Sequence, residues 1–140
     1  MAEVGAVGWA RRFPVRGGIR AGRAWAGDHL SALGWDQSAP QIVDAVVLAV
    51  SELLTNAHVH ARSDAELVLT WDGQCLHLSV HDHDPGLPRP RESGPEELGG
   101  RGLALVEAVA DHWHTSPEPD GKTVTACFHP PSAVSGPLPS

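Results

Sequence analysis

Glu66-Leu-Val-Leu-Thr-Trp-Asp-Gly-Gln-Cys-Leu-His-Leu-Ser-Val-His-Asp82 decides the architecture. Its two halves, Glu66–Trp71 and Gln74–Asp82, read as antiparallel strands joined by Asp72-Gly73, which supplies the positive φ angles of a type I′ turn. Leu76, Leu78 and Val80 share one face of the second strand, and Asp82 continues their parity. The register therefore aims a carboxylate at the core side of the strand end. A buried carboxylate needs donors, such as the amino edge of a base. The competing reading ends the strand at Val80 and makes Asp82 a turn residue. His77, Ser79, His81 and His83 take the opposite parity. Two or three of these could ligate zinc, but the face is expected to be wet and to carry no cysteine, so no metal site is expected there.

Upstream of the hairpin, Gly8–Val15 ends at Pro14 and suits an edge strand. Ile19–Leu33 repeats its apolar residues at helical spacing, with Gly34 after the cap. A second helix starts after Ser38, with Pro40 in its first turn, and runs to about Ala61. Downstream, Pro85–Gly99 is a long loop with four prolines and three glycines. A helix follows Gly100-Arg101-Gly102, with Leu103, Val106, Ala110 and Trp113 on one face. Asp120-Gly121 turns the chain into a last strand, Lys122–Phe128. The order predicts an α+β two-layer sandwich, a mostly antiparallel sheet with helices on one face. One domain is expected over residues 1–129, followed by a disordered tail over 130–140.

Composition narrows the function classes. The chain has 140 residues and a formal net charge of −7, with Lys122 its only lysine. Such a chain lacks the clustered positive charge that a nucleic-acid backbone binder needs. No apolar run is long enough to span a membrane, and the amino terminus does not read as a signal peptide. Cys75 and Cys127 stand far apart in sequence, so reduced thiols and a cytoplasmic location are expected.

Polar residues interrupt the most apolar helix at Ser51, Glu52, Thr55 and Asn56. Glu52, Asn56 and His60 recur every four residues and stack on one face. An amide oxygen suits a hard cation such as Mg²⁺, and a carboxylate suits a base that activates a hydroxyl. An ordinary solvated stripe would look the same. Gly99-Gly100-Arg101-Gly102 at a helix start offers backbone N–H groups to a phosphate. It is neither a Walker loop nor a dinucleotide fingerprint, since no Gly-Lys-Ser/Thr follows and no strand directly precedes it.

The order and spacing of these features resemble the Bergerat-fold, histidine-kinase-like ATPase superfamily. Glu52-Leu-Leu-Thr-Asn56-Ala-His-Val-His60 is similar to its N-box. Val80-His-Asp82-His-Asp84-Pro-Gly86 falls where its first glycine box belongs, and Gly100-Arg-Gly102-Leu-Ala-Leu-Val106 resembles the second. Pro85–Gly99 would then be the ATP lid. The short chain is most similar to the anti-sigma-factor serine kinases of the actinobacterial single-domain type. The resemblance covers residues 8–129.

It implies ATP and Mg²⁺ as cofactors, with Asn56 coordinating the metal and Glu52 taking the proton from a substrate serine. Asp82 would accept from the adenine amino group, and Gly86 belongs to the same box. His60 would lie beside the phosphates, which the backbone amides of Gly100, Gly102, Leu103 and Ala104 would hold. Three departures stand out. Asp84 replaces a glycine of the first box and Pro85 follows it. Leu98 and Gly99 stand where the family has an arginine, leaving Arg101 as the available cation. The threonine of the last strand is displaced, since Lys122 takes the inward parity of Val124 and Thr123 the opposite one.

The implied function is an ATP-binding transcription regulator that phosphorylates a serine of an antagonist protein and holds a sigma factor. The alternatives are a catalytically silent nucleotide-gated module and an adaptor that has lost ATP. An exposed edge at Gly8–Val15 predicts a homodimer.

Overall fold

The computed structural model describes residues 7–58, 64–83 and 98–130. In chain order the elements are β1 (Val7–Phe13), α1 (Gly18–Ala32), α2 (Trp35–Ser38), α3 (Pro40–Asn56), β2 (Ala65–Trp71), β3 (Leu76–Asp82), α4 (Leu98–Val109), β4 (His112–Glu118) and β5 (Gly121–Phe128). The strands form one five-stranded sheet in the order β1-β2-β3-β5-β4. Every neighbouring pair is antiparallel, and β1 lies at one edge as expected.

The hairpin pairs Leu69 with Leu78 and Trp71 with Leu76. Its connection, Asp72 to Cys75, is longer than the two-residue turn expected. The Asp72 carboxylate explains the extra length: Oδ1 accepts from the Gln74 and Cys75 N–H groups at 2.9 and 2.8 Å. These bonds close the loop from its own side chain, and Gly73 takes the positive φ of 95° that the bend requires.

A second difference lies downstream. The apolar spacing that extends a helix to Trp113 breaks at Val109, and His112–Glu118 forms the edge strand β4 instead. Pairing with β5, Trp113 opposite Ala126, outweighs the local helical pattern. Two short features were not anticipated: the four-residue α2, and the start of α4 at Leu98.

One face of the sheet is covered. Ala65, Leu67, Leu69 and Trp71 from β2, with Leu76, Leu78 and Val80 from β3 and Val124, Ala126 and Phe128 from β5, are buried. Against them α3 sets Val46, Val50, Leu53 and Leu54, while α1 adds Ala26 and Leu30, and α4 adds Val106. Each leucine so enclosed contributes about 1.5–3 kcal/mol. Helix α3 packs against both α1 and α4, so it is the middle helix of the layer. Trp35 of α2 meets Trp71 edge to face, with ring centroids 4.8 Å apart. The opposite face is polar: Ser79 Oγ lies 3.0 Å from Thr125 Oγ1, and His81 Nδ1 lies 3.0 Å from Thr123 Oγ1. The α+β two-layer architecture is therefore the one expected. No helix among the described residues is long and apolar enough to cross a membrane.

Candidate functional site

Helix α3 brings Glu52 and Asn56 to one face near its carboxyl end, one turn apart and both half-buried. Their neighbours Leu53 and Leu54 point into the core, which fixes the helix rotation and leaves the polar pair at the border of the layer. The sequence reading of this pair as adjacent on one face holds. His60, Asp84 and Gly86 lie outside the described residues.

Asp82 ends β3 on the inner face and is 3% exposed, as its parity predicts. The strand does not stop at Val80. Directly across the β3–β5 ladder stands Lys122, itself 5% exposed. Lys122 Nζ donates to Asp82 Oδ2 at 2.6 Å, inside the protein. The one lysine of the chain is thus buried against the one inward carboxylate of β3. Sequence reasoning placed Lys122 on the inner face but did not join it to Asp82. The signal was available: an inward ammonium on a neighbouring strand needs a carboxylate.

Gly121 completes this corner. A Cβ built on it would lie 1.9 Å from the Asp82 carbonyl oxygen, so only glycine lets β5 begin this close to the end of β3. A second buried polar group, His58, follows α3 at 7% exposure. Neither of its ring nitrogens has a hydrogen-bond partner in the described structure. Its Cε1 packs so near Gly18 that a Cβ there would sit at 3.0 Å.

Helix α4 begins at Leu98. Its first turn therefore contains Gly100 and Arg101, while Gly102, Leu103 and Ala104 fall in the second turn; the earliest N–H groups of a helix have no carbonyl of that helix to donate to.

The site fits a magnesium nucleotide in the chemistry of its donors. Asn56 offers an amide oxygen, Glu52 a carboxylate, and Asp82 a buried acceptor on the inner face of the sheet. A carboxylate has about four acceptor positions, so an ammonium and a base amino group can share it.

A different concentration of polar groups lies at the other end of β3, on the open face. Cys127 stands opposite His77, with its Sγ 3.2 Å from His77 Nδ1. Cys75 Sγ lies 3.4 Å from His129 Nε2. The expectation that no cysteine shares the histidine face is therefore incorrect: the β3–β5 register, invisible in either strand alone, brings Cys127 there. Burial, and then the carboxylate of Asp72, push the Cys75 thiol above its ordinary value. Burial also raises Cys127, with Cys75, Asp111 and Asp72 adding to it. Asp72 is held below its ordinary value, first by the Cys75 and Gln74 N–H groups.

Comparison with known proteins bears on the family and the fold. A family model described as histidine kinase-like ATPase domain matches residues 17–128. No curated protein matches the chain. Among solved structures, the crystal structure of the RsbU and RsbW domains of Rv1364c from Mycobacterium tuberculosis is similar, at 19% identity and a TM-score of 0.66. The match covers 89% of this chain and 32% of that one, so the chain spans about a third of its length. At that identity the likeness establishes the shared fold.

Proposed function

The chain belongs to the histidine kinase-like ATPase domain family, and on that premise we propose that it binds ATP with Mg²⁺ and phosphorylates a serine of an antagonist protein in an anti-sigma system. One observation carries the reading. Glu52 and Asn56 share the half-buried border of α3, while Asp82 is buried on the inner face at the end of β3. A carboxylate one turn from an amide is the pair that phosphoryl transfer needs beyond binding.

Bound ATP would supply the phosphoryl group. Asp82 would accept from the adenine amino group, and Asn56 would hold the metal through its amide oxygen. The backbone N–H of Gly100, at the opening of α4, would face the phosphates. Glu52 would take the proton from the serine hydroxyl. Arg101 is the cation assigned to the transferred charge. Gly102, Leu103 and Ala104, with His60 and Gly86, keep the roles that the sequence resemblance implies. Phosphorylation adds close to two negative charges to the partner, and repulsion with desolvation then opens the complex. The released domain would hold a sigma factor.

The test is Mg²⁺-ATP calorimetry on the wild type, Asn56→Ala and Asp82→Asn, followed by a kinase assay with Glu52→Ala. Binding lost in the first two variants and transfer lost in the third supports the proposal. A Glu52→Ala protein that phosphorylates at the wild-type rate removes the base assignment.

A second reading, a nucleotide-gated binding module without transfer, is favoured by Lys122. Its ammonium already neutralises the Asp82 carboxylate that would read the base. This reading expects ATP-dependent partner binding and no phosphoserine. For assembly, β1 pairs only with β2 among the described strands, and its free edge is where a second copy would add. Light scattering that finds only monomer at high concentration excludes the homodimer. Cytoplasmic localisation completes the proposal and is tested by fractionation.

A further inference from the structure

We propose that the open face of the sheet carries a zinc site built from Asp72, Cys75 and His77, at the end of β3 opposite Asp82. Nothing in the nucleotide reading uses these residues, and the site does not depend on it.

The geometry is the argument. One ligand atom each of Asp72, Cys75 and His77 lie within 4.8 Å of one another. Asp72 Oδ2 is 3.6 Å from His77 Nε2. A tetrahedral zinc ion, with bonds of about 2.3 Å to sulfur and 2.0–2.1 Å to nitrogen, sets its ligand atoms roughly 3.4–3.6 Å apart. Thiolate, imidazole and carboxylate, with a water in the fourth position, form a borderline-soft donor set that suits Zn²⁺ rather than Mg²⁺ or Ca²⁺.

The surroundings hold these ligands in place. His77 turns its other nitrogen, Nδ1, to Cys127 Sγ at 3.2 Å, so Cys127 serves as its outer partner and leaves Nε2 for the metal. The His129 N–H donates to Asp111 Oδ2 at 2.6 Å, which fixes the backbone of the residue whose ring lies against Cys75 Sγ. The His112 ring packs 5.6 Å from that of His129. Two ligands come from the hairpin loop and one from β3, so the ion would tie the loop to the strand it feeds. On binding, a zinc–sulfur bond forms and the Cys75 thiol proton passes to solvent.

The test uses the untagged, reduced chain, stripped with chelator and titrated with Zn²⁺ by calorimetry and with Co²⁺ by absorption. One Zn²⁺ per chain is expected, with Kd below about 1 μM, release of about one thiol proton and a thiolate-to-cobalt charge-transfer band. Cys75→Ser abolishes the band, His77→Ala weakens Zn²⁺ by about 10-fold or more, and Cys127→Ser retains the band. Circular dichroism of each apo variant separates ligand loss from misfolding. The wild-type spectrum needs no variant: absence of a thiolate band in it overturns the proposal. So does a band that survives Cys75→Ser and disappears in Cys127→Ser.

Discussion

Replacing Lys122 by methionine removes an ammonium while leaving most of its stem, and it isolates the charge at the corner of the sheet. At 2.6 Å from Asp82 Oδ2, and with an effective dielectric near 20, the pair attracts by roughly 6 kcal/mol. Desolvation of two nearly enclosed groups offsets much of that, so the net worth of the pair is small. The variant does not return to the solvated reference, however. It leaves a carboxylate that is 3% exposed without its ammonium, and breaking a buried pair by removing one member costs about 3–5 kcal/mol. For a domain of this size that is a fall in Tm of about 10–15 °C. Urea unfolding at neutral pH is the assay, with an unchanged m-value showing that the compactness of the native state is kept. The double variant Lys122→Met with Asp82→Asn removes both charges. It should lose at least about 2 kcal/mol less than the sum of the single losses. A Lys122→Met loss under about 1 kcal/mol, or strict additivity of the two changes, would refute a buried, coupled pair.

Other outcomes follow from the same structure. Gly121→Ala places a methyl carbon 1.9 Å from the Asp82 carbonyl oxygen, so β5 must withdraw; a loss of about 1–3 kcal/mol in urea unfolding is expected. His58→Leu exchanges an imidazole with two unpartnered nitrogens for an apolar side chain, which should leave stability level or raise it by about 1 kcal/mol; a large loss would show that the ring is bonded. The Asp72 carboxyl lies below its ordinary value of 3.8. Its contribution to the hairpin is therefore complete above that pH and is lost as pH falls through the lower folded value. Asp72→Ala should flatten this acid limb of the stability profile, measured by thermal unfolding from pH 5 to 2.

The parts that sequence patterning made legible are those decided within one element. Alternation along 76–82 located the inner face and put Asp82 on it, and spacing along α3 joined Glu52 to Asn56. What patterning missed depends on two elements meeting. Leu103, Val106, Ala110 and Trp113 do keep helical spacing. Yet His112–Glu118 gains a full ladder with β5, and Pro117 is tolerated because β4 is an edge. Lys122 and Asp82 are 40 positions apart and Cys127 and His77 are 50 apart. Neither partnership is visible until the strands are aligned.

One register produces both partnerships. Asp82 faces Lys122 and His77 faces Cys127 along the same ladder. The two pairs are five residues apart on each strand, an odd number, so they project to opposite faces. The inner pair meets the helix layer and the outer pair meets solvent. A slip of one residue would exchange them, burying His77 and Cys127 and exposing Asp82 to water. The ladder is thus held in register by a buried charge pair at one end and by thiol and imidazole contacts at the other. Because the sheet's own thickness separates them, an ion bound outside would steady the hairpin loop on β3 without touching the groups inside. Zinc should accordingly raise Tm while leaving ATP affinity unchanged in the wild type. A shift in ATP affinity that Cys75→Ser abolishes would show instead that the strand pair transmits strain from one face to the other.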